Sequence, residues 1–129
     1  MKSFKMASLL LFAAFALSII SSASAATTTA TPTTQVNINT HLNDKFKINL
    51  VSNPSTAYSW ILKYNHKFLK LVSSKYTPSK THLIGAPGVQ HYIFKAIEKG
   101  NTTINLVYVK VFDMKHPGKK IIYHVKITK

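Results

Sequence analysis

The chain has 129 residues and a formal charge of +14, from 17 basic residues against three acidic ones, with no cysteine. Without a thiol it can form no disulfide, thiolate metal site or cysteine nucleophile. All 17 cations are lysines, so the guanidinium forks that read bases and clamp phosphates are missing, which speaks against specific nucleic-acid recognition.

Residues 1–25 read as a cleaved secretory signal. Lys2 and Lys5 form a positive start, the run from Met6 to Ile20 is uncharged, and Ala23-Ser24-Ala25 supplies small residues for cleavage. Fifteen residues fall short of the ~20 needed to span a bilayer, so no stable membrane anchor is expected after removal near Ala25. The expected address is therefore secreted or periplasmic. Beyond it lie 104 residues, one domain's worth. Residues 26–34 (ATTTATPTT) are small, polar and repetitive, and are expected to form a flexible lead-in.

From Gln35 to Lys129 the pattern has a period of two. Val36 and Ile38 alternate with asparagines; Phe46, Ile48 and Leu50 alternate with Lys45, Lys47 and Asn49. Tyr58, Trp60 and Leu62 repeat the alternation after the Asn53-Pro54 turn. Phe68–Val72 and Tyr92–Ile97 follow on either side of the Gly85-Ala86-Pro87-Gly88 break. Ile104, Leu106 and Tyr108 face one way, opposite Asn105, Val107 and Val109. Pro117-Gly118 marks a turn, and Ile121, Tyr123, Val125 and Ile127 alternate towards the C-terminus. No capped 3.6-residue stripe occurs in this part of the chain. About seven short strands predict an all-β, immunoglobulin-like antiparallel sandwich, with Trp60 suited to its central core position. A monomer is expected.

Catalysis finds little support. Asp44, Glu98 and Asp113 lie in separate predicted turns, whereas acid–base pairs need two carboxylates held close together. The six histidines are scattered without metal-ligand spacing, and Gly85–Gly88 has no following helix to present phosphate-binding N–H groups. No metal or cofactor is expected.

Three stretches remain: Asn53-Pro-Ser-Thr-Ala-Tyr-Ser-Trp60, Gly85-Ala-Pro-Gly88 followed by Tyr92-Ile-Phe94, and Leu106-Val-Tyr108 running into Lys110-Val111-Phe112. Together, in that order, they resemble the signature of the chagasin-like inhibitors of papain-family cysteine peptidases. There the first stretch reads Asn-Pro-Thr-Thr-Gly-aromatic-x-Trp, the second is a Gly-x-Gly-Gly loop, and the third is Leu-x-Tyr followed by Arg-Pro-Trp. The resemblance spans about residues 35–129. Ser55 stands for a threonine, Ala57 for a glycine, Pro87 for the middle glycine, and Lys110-Val111-Phe112 for the last triplet.

The resemblance implies an inhibitor that occludes a peptidase's active-site cleft with three neighbouring loops. Asn53, Pro54, Ser55, Thr56, Ala57 and Tyr58 would enter over the catalytic Cys–His pair. Gly85, Ala86, Pro87 and Gly88 on one side, and Lys110, Val111 and Phe112 on the other, would grip the shoulders. Phe112 would be the aromatic anchor, with Trp60 and Tyr108 supporting from the core. The lysine excess leaves an alternative open: a basic immunoglobulin-like module for an acidic surface or glycan.

Overall fold

The computed structural model describes residues 30–81 and 83–129; the expected signal at 1–25 lies outside them. Alternation becomes seven strands: β1 (Thr33–His41), β2 (Lys45–Ser52), β3 (Tyr58–Tyr64), β4 (Leu69–Thr77), β5 (Gly88–Ala96), β6 (Gly100–Lys110) and β7 (Lys119–Thr128). Pro54–Thr56 forms one 3-10 turn, and the described residues contain no α-helix.

The strands make two sheets, of order β1-β7-β6-β3 and β2-β5-β4. Each turns one set of alternating side chains into a common core, as the immunoglobulin-like expectation requires. Phe94, Leu69, Ile104, Leu106 and Val125 are the largest fully buried side chains, each contributing about 2–3 kcal/mol of burial. Phe46 stacks on Phe94 at 5.7 Å and Tyr64 meets it edge-on at 5.2 Å. Burial also pushes the Tyr92 and Tyr123 phenols above their ordinary value.

Three expectations need correction, and one burial was not foreseen. The sandwich is not wholly antiparallel, because β1 runs parallel to β7, from Thr33 opposite Lys120 to His41 opposite Thr128. The chain crosses between sheets at residues 42–44, where Leu42 N–H bonds Thr128 O and Asn43 N–H bonds Ala96 O. That crossing, not a hairpin, decides the direction of β1. Thr33 and Thr34, placed in the flexible lead-in, belong to β1, since they pair with Lys120 and Ile121.

Val109 is buried although its alternation faces outward. The segment after β6 folds back over that end of the sheet, tied by a Gly118 N–H to Tyr108 O bond of 2.8 Å. Finally, Trp60 is half-buried at the margin of the core, not at its centre. Its indole N–H needs an acceptor and finds Val51 O at 3.0 Å, near the rim.

Candidate functional site

Three connections meet at one end of the sandwich: residues 53–57 between β2 and β3, 78–87 between β4 and β5, and 111–118 between β6 and β7. Beneath them lies a row of aromatic rings. Trp60 and Tyr108 are directly opposite across β3 and β6, with ring centroids 4.7 Å apart, and Tyr58 stacks on Tyr108 at 5.0 Å. The register puts all three on the same face of that sheet.

The first connection is tightly held. Pro54 fixes φ at the start of the 3-10 turn, where no N–H is needed. Thr56 and Ala57 N–H groups bond to Asn53 O and Pro54 O, each at 3.1 Å. Asn53 N–H donates to Tyr108 Oη at 3.0 Å, so the platform reaches up into the loop. The Ser55 hydroxyl donates to Asn53 Oδ1, and Thr56 Oγ1 donates to Asn53 O at 2.7 Å. Both side chains are exposed, but their protons are committed inward. They offer outward only oxygen lone pairs.

The other two connections are tied to the first. Asn53 Nδ2 donates to Gly85 O at 2.9 Å, and Val111 N–H donates to Ala57 O at 3.2 Å. Tips distant in the sequence thus converge on Asn53–Ala57. Gly85 takes a positive φ of 81° and lies over Ser55, whose Oγ a Cβ there would meet at 3.7 Å. Gly88 differs from its three neighbours. It is the buried first residue of β5, so it sets how closely β5 approaches β4 and presents no surface of its own. In the third connection Asp113 N–H closes on Lys110 O at 3.0 Å, which thrusts Val111 and Phe112 outward. The Asp113 carboxylate is engaged by His116 at 2.9 Å. Lys110 Nζ lies 5.5 Å from the Tyr58 ring centroid and 5.9 Å from that of Phe112.

Among the described residues eight large hydrophobic side chains are exposed, and six of them belong to this end or its flanks: Val51, Leu83, Ile84, Val111, Phe112 and Met114. Ile84 is fully exposed and Phe112 is 77% exposed. Apolar groups concentrated so heavily in one region mark a contact surface. Among the described residues no group of three His, Asp or Glu could hold a metal, and no helix is long and apolar enough to cross a membrane.

Residues 39–127 match the model of the family described as Chagasin family peptidase inhibitor I42. The chain belongs to the chagasin family. Amoebiasin-2 of Entamoeba histolytica is 29% identical over 119 residues, covering 90% of this chain and 97% of the relative. Chagasin of Trypanosoma cruzi is 30% identical over 69 residues, covering 50% of this chain and 63% of its own. The crystal structure of the cysteine protease inhibitor EhICP2 from Entamoeba histolytica superposes with a TM-score of 0.62 at 27% identity, over 74% of this chain and 96% of that one. PbICP-C, solved in complex with falcipain-2, shares the fold with a TM-score of 0.60 at 18% identity, over 77% and 93% of the two chains. The chagasin family is one of inhibitors, not enzymes.

Within this chagasin-family chain, the substitution of Ala57 for glycine has a visible cost, since Ala57 adopts φ 66°, ψ 6°. Ala57→Gly is expected to stabilise the fold by about 1 kcal/mol, because a Cβ is disfavoured in the left-handed region. A rise in the thermal midpoint checks this; a fall would show that chain entropy outweighs the strain. Tyr108→Phe removes the acceptor for Asn53 N–H and is expected to cost about 1–2 kcal/mol. Loss of hydrogen-exchange protection at Asn53 would locate the effect in the first connection.

Reasoning from sequence missed Leu83 and Ile84. The only available signal was an apolar pair between Pro78 and Gly85 that belongs to no alternating run. Such a pair could equally have been buried.

Proposed function

We propose that the chain is a secreted, reversible inhibitor of papain-family cysteine peptidases, which covers the active-site cleft with its three joined connections. The observation that carries this is the layout of the loop end: a polar centre at Asn53–Ala57, with Leu83-Ile84 on one side and Val111-Phe112 on the other. A peptidase cleft is a groove with its charged pair at the bottom and side-chain subsites along the walls. A narrow edge with a polar middle and apolar shoulders complements that shape.

The electrostatics agree. A papain-type site holds a thiolate beside an imidazolium. The Ser55 and Thr56 oxygens, their protons directed to Asn53, can accept from the imidazolium N–H and bring no charge of their own. The connections are braced to each other and to Tyr108 before binding, which lowers the ordering cost of association. With no cysteine in the chain, binding is noncovalent. The three connections are suited to a standard interface of about 800 Å² per partner. The membership in an inhibitor family and the falcipain-2 complex of PbICP-C support the partner class.

Titration of the chain against papain and a cathepsin L-type enzyme, with serine and metallo-peptidase controls, tests the proposal. Inhibition confined to the papain-like enzymes is expected. Affinity weaker than micromolar across all of them would overturn it. Secretion is tested separately, by sequencing the N-terminus of protein recovered outside the producing cell; a start near Ala26 is expected.

A further inference from the structure

The inhibitory edge leaves the lysine excess unexplained. The register of the β2-β5-β4 sheet shows where part of it goes. On the outer face Lys45 lies opposite Lys95, and Lys95 lies opposite Lys70. These three ammonium groups form a row across three neighbouring strands, which are spaced about 4.8 Å apart. One step along β2 is Lys47, opposite Ile93; the next pair is Asn49 and His91, with Lys75 beyond on β4. Asn49 Oδ1 accepts from His91 Nδ1 at 2.7 Å, leaving the other ring nitrogen free to face outward.

Like charges directly opposite one another destabilise a sheet, and no carboxylate is within ion-pair distance of these. The one ion pair among the described residues is His116–Asp113. Asp44 and Glu98, in the turns at the Lys45 end, make no ion pair with any lysine of the row. A face that concentrates unpaired positive charge in this way is complementary to a polymer that carries closely spaced negative charge.

We propose that this face docks a linear polyanionic polysaccharide, a chain of sulfated or carboxylated sugars, held by Lys45, Lys95, Lys70 and Lys47, with Asn49 and His91 meeting its hydroxyl groups. The chemistry of the face favours that occupant over other polyanions. No aromatic side chain points outward here, so nothing stacks on the bases of a single strand. A bilayer surface would call for apolar side chains to insert beside the cations. The row itself has none; Val72 and Ile97 beside it are only 43% and 41% exposed, and the more exposed apolar groups lie at the loop end. Because the face lies to the side of that end, polymer and peptidase can be held together, and the proposal does not depend on the inhibitory one.

The test is calorimetric binding of the full chain to heparin (sulfated) and to polygalacturonate (carboxylate only), with neutral dextran, a DNA duplex and phosphatidylserine vesicles alongside. Heparin or polygalacturonate is expected to bind, with affinity that falls as salt is added, while dextran does not bind. DNA and vesicles are expected to bind at least about tenfold more weakly. The triple variant Lys45→Thr, Lys70→Thr, Lys95→Thr is expected to lose about tenfold or more of the affinity. A control triple on the other sheet, Lys63→Thr, Lys120→Thr, Lys126→Thr, changes net charge equally and is expected to lose less than about twofold. Threonine suits strands and relieves the cross-strand repulsion, so the first variant is expected to unfold at the same temperature as the parent or higher. Equal losses in the two triples would reduce the effect to bulk charge. That result, tighter binding to DNA or vesicles, or no binding to either polysaccharide at low salt would each overturn the proposal. Papain titration of the first triple keeps the two functions apart, since its inhibition is expected to be unchanged.

Discussion

Gly88→Ala is expected to cost the fold about 3 kcal/mol, the size of a severe overpacking defect. A Cβ at this position would overlap the Thr77 carbonyl oxygen and sit 2.5 Å from Tyr76 Oη. The Tyr76 side chain could swing aside. The carbonyl could not, because Thr77 is paired with Val89 in the β4–β5 ladder. For a domain of this size the loss corresponds to a drop of roughly 12–24 °C in the thermal midpoint. Gly85→Ala is the informative control. Its φ of 81° is strained for alanine, but a Cβ would make only an ordinary contact with Ser55 Oγ, so about 1 kcal/mol is expected. Equal costs at the two positions would mean that backbone conformation, not the close approach of β5 to β4, makes Gly88 necessary. Because Gly88 is buried, loss of inhibition in its variant is expected to follow loss of folded protein.

Phe112→Ala is expected to weaken inhibition of papain by about thirtyfold or more, the roughly 2 kcal/mol of an interface hot spot. The ring is 77% exposed at the tip of a turn closed by the Asp113 N–H to Lys110 O bond, so it is presented outward without reorganisation. Lys110→Ala is expected to cost less, within about tenfold, and mainly to alter salt dependence, as rim charges do. Lys110 also lies near the Tyr58 and Phe112 rings, so its loss removes some support for the anchor. Inhibition constants for the two variants at two salt concentrations decide the order. A larger effect at Lys110 would shift the main source of affinity from the apolar shoulder to charge.

The fold was legible wherever one face of a strand met the core and the other met water. Ile48 and Leu50 in β2, and Tyr123, Val125 and Ile127 in β7, are buried in the alternation that their spacing predicts, with Phe46 half-buried on the same face. What alternation cannot encode is the direction of a neighbour: Val36 and Ile38 would face the core whether β1 ran with β7 or against it. Nor does it record what a later segment lays over a face, and so the burial of Val109, opposite the core-facing set of β6, could not be read from spacing. At the site, Ala57 was legible as standing where the resembled signature has a glycine, and its φ of 66° shows why a glycine suits that position. The inward commitment of the Ser55 and Thr56 protons was not, since it depends on where Asn53 places its two oxygens. Likewise Gly88 shares a four-residue motif with Gly85, and only the approach of Thr77 separates a spacer from a tip.

The nine-residue ladder between β1 and β7 has a bearing on survival. Peptidases digest segments that can peel away and thread into their clefts, so a protein that meets such enzymes is most vulnerable where its outer strands come loose. Here the first strand cannot come away without surrendering its whole zip to the last, together with Val36 and Ile38 from the interior. Release of this edge strand is therefore expected to be costly, and digestion from this side to be slow. The accompanying penalty is kinetic: two strands separated by nearly the entire domain must find each other, which makes folding slow.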